Sequence, residues 1–376
     1  MLSSGVFRSD LTLSYSYNRL GEITQVSRFL GGDAWHEKYT YNTLGQTTAI
    51  QSDINTSNSP RITHTYNAAG QIKQTSFPRL THSGTLGLNL PFTYTIRGWL
   101  LKIGDISNPA NTSTSSLYPF QAQYTYSLTG NITEAIYRNS TSILGTTTSP
   151  QYKYNFQYDK LNRLKAADFT SICILGSRRC GAIIGVDDQN ATTTSLTLSQ
   201  DLGNFTYDAN GNLLSLHRRN QSGSTEDNLA YTYSQNRLTS LMDNAYNNLP
   251  GYATAWASFQ YDANGNLTQV LDEVDYIPQF SAIYDVRNLP TAISHVTGGS
   301  ASYRYNAAGQ RIYKNVNGTV EHYVMNGSEP IAVLNADGTL RYWITSFGRA
   351  EKSGSSYVAY YYLKDHLGST RVVMKE

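Results

Sequence analysis

The heptapeptide Tyr207-Asp-Ala-Asn-Gly-Asn-Leu213 decides the fold, because it returns unchanged as Tyr261–Leu267 and in looser form along most of the chain. Self-similarity at a fixed interval is the sequence mark of a repeat architecture. Eleven copies are found, spaced about 29 residues apart on average. They begin at Tyr17, Tyr41, Tyr66, Tyr94, Tyr126, Tyr158, Tyr207, Tyr233, Tyr261, Tyr284 and Tyr305, which we call the marker tyrosines.

Each copy is typical of the tip of a β-hairpin. In the Tyr207 copy, Ala-Asn-Gly predicts a three-residue loop, a type I turn closed by a left-handed glycine as a G1 bulge. Gly211 suits this position because a Cβ is penalised at positive φ. Eight copies carry glycine here and two carry asparagine, which tolerates the conformation, while the Tyr233 copy is one residue short. These residues are Gly21, Gly45, Gly70, Gly98, Gly130, Gly211, Gly265 and Gly309, with Asn162 and Asn288.

The residues around each turn predict two paired strands. With the loop above, Tyr207 pairs across the hairpin with Leu213, and Asp208 pairs with Asn212. Most copies carry a second aromatic residue two positions before the marker, as Phe205 stands before Tyr207. This period of two predicts a strand with one aromatic face and one wet face. Because one hairpin cannot bury that face alone, we expect an all-β fold in which the hairpins join sideways into a spiral sheet.

The composition favours β-structure and argues against several functions. The 376 residues include 30 Tyr and 29 Gly, whereas only 15% are charged, which is typical of strands and turns. The formal net charge is +2 without a long basic run, so we expect no nucleic-acid partner. No stretch is apolar enough for a membrane helix, and residues 1–10 lack the pattern of a signal peptide. On these grounds alone we expect a cytosolic chain or one whose true N-terminus is missing.

The widest gap between copies, from Tyr158 to Tyr207, predicts an insertion at about residues 166–204. It contains both cysteines, Cys173 and Cys180. Two cysteines are too few for a disulfide framework or for a structural zinc site. A loop disulfide and two free thiols both remain open, and we favour the thiols.

Near the C-terminus, Tyr360-Tyr-Tyr-Leu-Lys-Asp-His-Leu-Gly-Ser-Thr-Arg371 resembles the signature that opens the core of rearrangement-hot-spot (Rhs) proteins. The heptapeptide likewise resembles the YD repeat of that family, which is shared with toxin-complex shell subunits and teneurins. The resemblance implies a YD-repeat β-scaffold over residues 1–340 and the truncated start of an Rhs-associated core over residues 341–376. The core signature residues are Asp365, His366, Leu367, Gly368, Ser369, Thr370 and Arg371.

The resemblance also implies a function, namely a structural shell segment of a bacterial Rhs-type polymorphic toxin. The implied partners are a C-terminal toxin cargo, encoded further along the same polypeptide, and its delivery machinery. The implied location is secreted or at the cell surface. The cargo of such shells is freed by cleavage at an Asp-Pro-rich region downstream of the signature. Since the sequence stops at Glu376 without any Asp-Pro pair, we expect neither the cleavage site nor the toxin in this chain.

Two other functions compete with the shell. Adhesion or carbohydrate binding, suggested by the teneurin-like relatives, would use exposed aromatic residues to bind surface glycans or proteins. Catalysis is suggested by Asp365, His366 and Ser369, the residue types of a Ser-His-Asp site. Neighbours along a strand point to opposite faces, however, which argues against such a triad. We therefore predict a structural role for these residues, no enzymatic activity, no cofactor and no metal.

Overall fold

The computed structural model describes residues 11–52, 60–82, 85–106, 118–139, 151–172, 202–219, 224–245, 255–272 and 277–376. Cys173, Cys180 and most of the predicted insertion at 166–204 lie outside these ranges. The described residues form 28 strands and no helix. The strands are β1 (Thr12–Tyr17), β2 (Ile23–Leu30), β3 (Asp33–Tyr41), β4 (Thr47–Ser52), β5 (Ile62–Tyr66), β6 (Ile72–His82), β7 (Thr85–Tyr94), β8 (Leu100–Ile103), β9 (Phe120–Tyr126), β10 (Ile132–Asn139), β11 (Gln151–Tyr158), β12 (Leu164–Ile172), β13 (Leu202–Tyr207), β14 (Leu213–Arg219), β15 (Thr225–Ser234), β16 (Arg237–Asp243), β17 (Trp256–Tyr261), β18 (Leu267–Asp272), β19 (Pro278–Tyr284), β20 (Pro290–His295), β21 (Ser300–Tyr305), β22 (Arg311–Val316), β23 (Thr319–Asn326), β24 (Glu329–Leu334), β25 (Leu340–Thr345), β26 (Gly348–Ser353), β27 (Ser356–Lys364) and β28 (Thr370–Lys375).

Every strand pairs antiparallel with the next strand along the chain, from β1–β2 to β27–β28. The described strands therefore form one meandering sheet, in which β1 and β28 are the two open edges. This confirms the all-β fold class. The predicted domain boundary at residues 340 and 341 falls where β25 begins, within the same sheet, and the division into two domains stays a prediction.

The turn after Tyr207 has the predicted geometry. The Gly211 N–H donates to the Asp208 carbonyl at 3.2 Å, and the Asp208 N–H donates to the Asn212 carbonyl at 3.0 Å. Gly211 has φ of 89°, the left-handed conformation that a G1 bulge requires. The Asp208 carboxylate accepts hydrogen bonds from the Asn212 side chain and from the N–H groups of Asn210 and Asn212. These bonds, first that of the Asn212 side chain, lower the pKa of Asp208.

The same conformation recurs at all ten positions where the sequence predicts it. The eight glycines and two asparagines have φ between 62° and 93°. The short Tyr233 copy instead forms a two-residue loop, in which Gln235 and Asn236 both have positive φ. Each of these eleven turns connects an odd-numbered strand to the next even-numbered one. All of them therefore lie along the same side of the sheet, at the ends of the strands, and we call this side the turn edge.

The marker tyrosines tie each hairpin to the preceding one. The Tyr207 hydroxyl donates to the backbone carbonyl of Leu164, six residues after the marker Tyr158, at 2.7 Å. Equivalent bonds bind the hairpins together at 2.6–2.9 Å in nine places. They run from Tyr41 to Ile23, Tyr66 to Thr47, Tyr94 to Ile72, Tyr126 to Leu100, Tyr158 to Ile132, Tyr207 to Leu164, Tyr261 to Leu238, Tyr284 to Leu267 and Tyr305 to Pro290.

A second set of bonds joins neighbouring turns at the turn edge. The side chain that follows each turn glycine reaches the next turn, so Gln46 donates to the Gly70 carbonyl at 2.9 Å. Gln71 likewise donates to the Gly98 carbonyl at 2.9 Å. Successive turns are thus held in register by side chains as well as by the strand ladder.

The sheet curls until its first strands pack against its last ones. One apolar cluster contains Trp35 and Phe77 from the N-terminal third together with Trp343 and Tyr361 near the C-terminus. The Trp35 ring lies 5.7 Å from that of Tyr357, and the Phe77 ring lies 5.7 Å from that of Tyr361. A smaller cluster fills the middle of the sheet, around Leu229, Ala257 and Val270. The ends of the chain therefore form a two-layered region, which we call the overlap.

Removing one hydroxyl tests the tie between hairpins. We expect Tyr207→Phe to lower the free energy of unfolding by about 1 kcal/mol, the usual net value of such a bond. Tyr207→Ala should cost about 2–3 kcal/mol, because the ring also lies 4.5 Å from the Arg163 guanidinium. Tyr207 is half-buried, so the loss stays below the 3 kcal/mol or more expected of a fully buried aromatic residue. Urea unfolding followed by circular dichroism measures both.

Tyr17 provides the matched control. It is 59% exposed, and the described part of the chain offers no earlier hairpin to accept its hydroxyl. Tyr17→Phe should therefore leave the unfolding midpoint unchanged. Equal losses in Tyr17→Phe and Tyr207→Phe would show that the hydroxyl bonds do not join the hairpins.

Candidate functional site

The signature residues form the turn between β27 and β28, at the turn edge. The Gly368 N–H donates to the Asp365 carbonyl at 3.1 Å, and the Asp365 N–H donates to the Ser369 carbonyl at 3.0 Å. These are the bonds of the Tyr207 turn, and Gly368 has φ of 81°. The argument from strand alternation is therefore wrong for Asp365, His366 and Ser369, because these residues lie in a turn and not along a strand. The Asp-x-x-Gly spacing could have revealed it, but Lys364 stands where the other hairpins have tyrosine.

The Asp365 carboxylate holds this turn together from a buried position. One oxygen accepts the N–H groups of Leu367 and Ser369 at 2.9 and 3.0 Å. The other accepts the Arg371 Nε at 2.6 Å. Burial by itself would raise the pKa of Asp365, but the hydrogen bonds from Arg371, Leu367 and Ser369 outweigh it and lower the pKa. The carboxylate is thus fully engaged as a structural acceptor.

The flanking side chains dock the turn onto β9 and β10. The His366 ring lies 4.2 Å from the ring of Tyr124, and burial lowers the pKa of His366. The Arg371 guanidinium lies 5.3 Å from the ring of Tyr137. Among the described residues, no hydrogen bond joins His366 to Asp365 or to Ser369. The three residues therefore lack the relay of hydrogen bonds that defines a Ser-His-Asp triad.

A buried carboxylate links the two layers of the overlap. Glu37 is fully buried, and it accepts the Trp35 indole N–H and the Ser346 backbone N–H at 3.3 and 3.2 Å. Its other oxygen accepts the Tyr39 hydroxyl at 2.6 Å, and the Arg28 guanidinium lies 3.6 Å away. Since Ser346 comes from the opposite layer, the carboxylate is fully bonded only when the two ends of the sheet meet.

A buried arginine makes a second link. Arg61 donates to the Ser52 hydroxyl at 2.8 Å and to the Tyr361 hydroxyl at 3.3 Å, and it forms an ion pair with Glu376. Burial raises the pKa of Tyr361 to about 12, so its hydroxyl stays protonated. At the rim of the overlap, Lys352 pairs with Asp33 at 2.7 Å in a more exposed position. Charge pairing across the layers is therefore strongest at the buried Arg61.

Beside the signature turn lies an open hollow of about 540 Å³, which we call the aromatic groove. The rings of Tyr152 and Phe169 stack at 5.9 Å, as do those of Tyr154 and Phe156. Arg371, which pairs with Asp365, lines the groove as well. Such a surface can stack against flat or apolar ligand groups. The lining residues are Phe120, Tyr137, Tyr152, Tyr154, Phe156, Leu164, Ala167, Phe169, Leu202 and Arg371.

The marker tyrosines and turn glycines do not converge on one site, because they are spread along the whole sheet. Arg371 joins the signature turn to the aromatic groove, whereas Arg61 bonds to Tyr361 and Glu376 elsewhere in the overlap. Sequence reasoning missed the contacts that Glu37, Arg61 and Tyr124 make across the overlap. No local signal marks these contacts, since Ser346, Tyr361 and His366 lie more than 200 residues away along the chain. Within the described ranges, no three His, Cys, Asp or Glu side chains are grouped to hold a metal. The same ranges contain no helix long and apolar enough to span a membrane.

Comparison with known proteins finds only distant likenesses. No family model and no curated protein matches the sequence. The chain is similar to a solved TcdB2-TccC3-Cdc42 structure at 12% identity and a TM-score of 0.42, over 90% of this chain and 18% of that one. It is similar to the Photorhabdus luminescens Tc holotoxin pore at 11% identity and a TM-score of 0.19, over 96% of this chain and 26% of that one. It is similar to a porin-like protein from Bacteroides uniformis at 11% identity and a TM-score of 0.20, over 85% of this chain and 90% of that one.

The chain spans less than a third of the length of the two Tc structures that it matches. All three TM-scores lie below 0.5, so these likenesses carry no argument about this chain. The description of its fold rests on its own strand register.

Removing the buried arginine should cost more than breaking the exposed pair. We expect Arg61→Ala to lower the free energy of unfolding by about 1.5–3 kcal/mol, because the Ser52 and Tyr361 hydroxyls lose a charged donor in a buried position. Arg79 still lies 3.7 Å from Glu376 and keeps that carboxylate paired. Lys352→Ala, at the exposed pair with Asp33, should cost less than about 1 kcal/mol. Urea unfolding of the two variants measures the difference. Similar losses in both would show that the overlap is not held by Arg61.

The Asp365 carboxylate should make the stability of the protein fall measurably at acid pH. The folded-state pKa of Asp365 is lowered, so its stabilisation is present above the ordinary value of about 3.9 and is lost as pH falls through the folded value. We expect Asp365→Asn to cost about 1–3 kcal/mol at pH 7, with the gap from the parent protein closing as pH drops below about 4.

Urea midpoints between pH 3 and pH 7 follow this gap. Ser369→Ala is the matched control, because Ser369 bonds to Asp365 through its backbone N–H, which the substitution keeps. Its profile should parallel that of the parent protein. An Asp365→Asn variant whose stability falls equally at acid pH would contradict the role assigned to the carboxylate.

Proposed function

We propose that this chain is a wall segment of an Rhs-type shell that encloses a toxin cargo. The observation that carries the proposal is the hydrogen bond from nine marker tyrosines to a carbonyl of the preceding hairpin, as from Tyr207 to Leu164. It turns a series of small hairpins into one continuous curved sheet, which is the element that a wall requires. The resemblance of residues 360–371 to the Rhs signature supplies the kind of shell.

The signature turn has a mechanical role in this proposal. His366 and Arg371 pack on Tyr124 and Tyr137, so the turn fixes how far the sheet curls before its ends meet. The Asp365 carboxylate stiffens the turn from within. A wall made this way works by shape, and we infer that the chain has no catalytic activity.

The partners follow from the resemblance. The cargo is a toxin domain encoded beyond residue 376, and delivery machinery carries the assembled shell out of the producing cell. The shell itself acts in a secreted or surface-bound state during competition between bacteria.

Sequencing the gene before codon 1 and beyond codon 376 tests the proposal. We expect the reading frame to continue into an Asp-Pro-rich core and a variable toxin domain, with a small immunity-type gene beside it. A stop codon directly after codon 376, with no cargo sequence in the locus, would overturn the shell proposal.

The inferred lack of catalysis has its own test. The purified chain should keep its full mass through days of incubation at neutral pH, as judged by mass spectrometry. A cleavage product that appears in the parent protein and not in Ser369→Ala would overturn this inference and identify an autoproteolytic site at the signature turn.

The aromatic groove supports a second candidate, binding of a glycan at a cell surface. Half-buried rings at Tyr152 and Tyr154 are suited to stack on a sugar face. The two functions are separable, because a wall needs these rings as packing whereas an adhesin needs them accessible.

A glycan array with the purified chain tests this second candidate. Binding that is lost in Tyr152→Ala and retained in Trp256→Ala would support it. Trp256 is the control because it is an exposed aromatic residue, 47% accessible, that does not line the groove. No binding by the parent protein, or equal loss in both variants, would count against the groove as a glycan site.

A further inference from the structure

Seven aliphatic side chains project from the tips of hairpins at the turn edge; Val286 and Leu367 stand apart, and the other five lie in the first half of the chain. These five lie in the turns β1–β2, β3–β4, β7–β8, β9–β10 and β11–β12. The intervening turn β5–β6 has Ala68 and Ala69 at its tip. We call these five residues the tip row. They are Leu20 (79% exposed), Leu44 (79%), Ile96 (105%), Leu128 (87%) and Leu161 (70%).

The turn itself does not require aliphatic residues at these positions. The central positions of turns favour Gly, Asn, Asp, Pro and Ser. The hairpins of Tyr207 and Tyr261 have the same turn geometry, yet Asn210 and Asn264 occupy their tips and bond to the next turn. Folding of the individual hairpin therefore does not explain the row.

The tip row follows the curved turn edge at a regular spacing. Strands lie about 4.8 Å apart, so successive hairpins place their tips about 10 Å apart, and the row extends over about 50 Å along that edge. Side chains lock the spacing, as Arg97 donates to the Leu128 carbonyl at 2.6 Å and Asn131 to the Asn162 side chain at 2.8 Å. A surface held in this way loses little freedom when a partner binds.

We propose that the tip row is an interaction surface for a second copy of this chain, whose own tip row lies against it. A partner must present apolar groups about every 10 Å to contact each tip. A second copy meets this condition because it carries the same row with the same spacing. A two-fold axis allows the two rows to interdigitate.

The area fits a weak, specific contact. At about 80–100 Å² for each aliphatic side chain, ten side chains from the two copies bury about 800–1,000 Å². That lies at the lower limit of stable interfaces, so the dimer should dissociate in the micromolar range. An anionic membrane fits less well, because the turn edge carries paired charges, such as Asp159 with Arg163 and Asp285 with Arg287, and not a basic stripe.

Analytical ultracentrifugation of the whole chain between about 1 and 100 μM tests the proposal. We expect a monomer–dimer equilibrium, with a dissociation constant raised at least tenfold in the double variant Leu44→Asp/Leu128→Asp. Val286→Asp is the matched control, since Val286 is a 98% exposed tip on the β19–β20 turn, outside the row. Its dissociation constant should equal that of the parent protein. Unchanged urea midpoints verify that each variant is folded.

A parent protein that stays monomeric, or a dimer equally strong in the double variant, would overturn the proposal. Co-sedimentation with vesicles of phosphatidylcholine and phosphatidylserine, lost only in the double variant, would assign the row to lipid instead and would likewise overturn it. The inference is independent of the cargo. A monomer would leave the shell proposal intact, and a locus without a cargo would leave the tip row intact.

Discussion

The hydrogen bond from nine of the marker tyrosines to the preceding hairpin is the contact that holds the sheet together. A two-stranded hairpin alone is marginal in water, and its aromatic face needs a neighbour. The ladder register shifts beside each turn, as it does between Gln157 and Tyr158. The hydroxyl of Tyr207 bonds to the carbonyl of Leu164 next to this shift. The tie therefore secures the sheet where its backbone ladder is interrupted.

The overlap shows how a repetitive sheet acquires one defined shape. Apolar contacts such as that of Trp35 with Tyr357 supply area, but they tolerate small displacements. Buried charges do not tolerate displacement, because Glu37 accepts a hydrogen bond from Ser346 and Arg61 donates one to Tyr361. In both pairs the partner comes from the opposite layer. A shifted overlap would leave a buried charge unpaired at a cost of several kcal/mol. We therefore infer that charge fixes the register of the layers and apolar area holds them together.

The two long sides of the sheet differ in the connections that they carry. The turn edge repeats one compact geometry, and its hydrogen bonds run from turn to turn. The opposite edge carries connections of very different length, from the short turn between β20 and β21 to the long connection between Ile172 of β12 and Leu202 of β13. The predicted insertion thus falls at the edge where extra residues do not disturb the marker ties. Extra residues on that edge leave the turn edge and its hydrogen bonds unchanged.

The amino-acid sequence by itself determined the turns, the left-handed φ of Gly211, the pairing of Tyr207 with Leu213 and the all-β class. These are local, since seven residues contain the steric rule and the hydrogen-bond donors that enforce it. The spacing of Asp365 and Gly368 also predicts the signature turn, whereas strand alternation is the wrong description of these residues. Only the tertiary structure decided that His366 meets Tyr124 and that Arg61 meets Glu376, 315 residues away. A period of two fixes which face a side chain occupies, whereas curvature accumulated over many strands decides which layer that face meets.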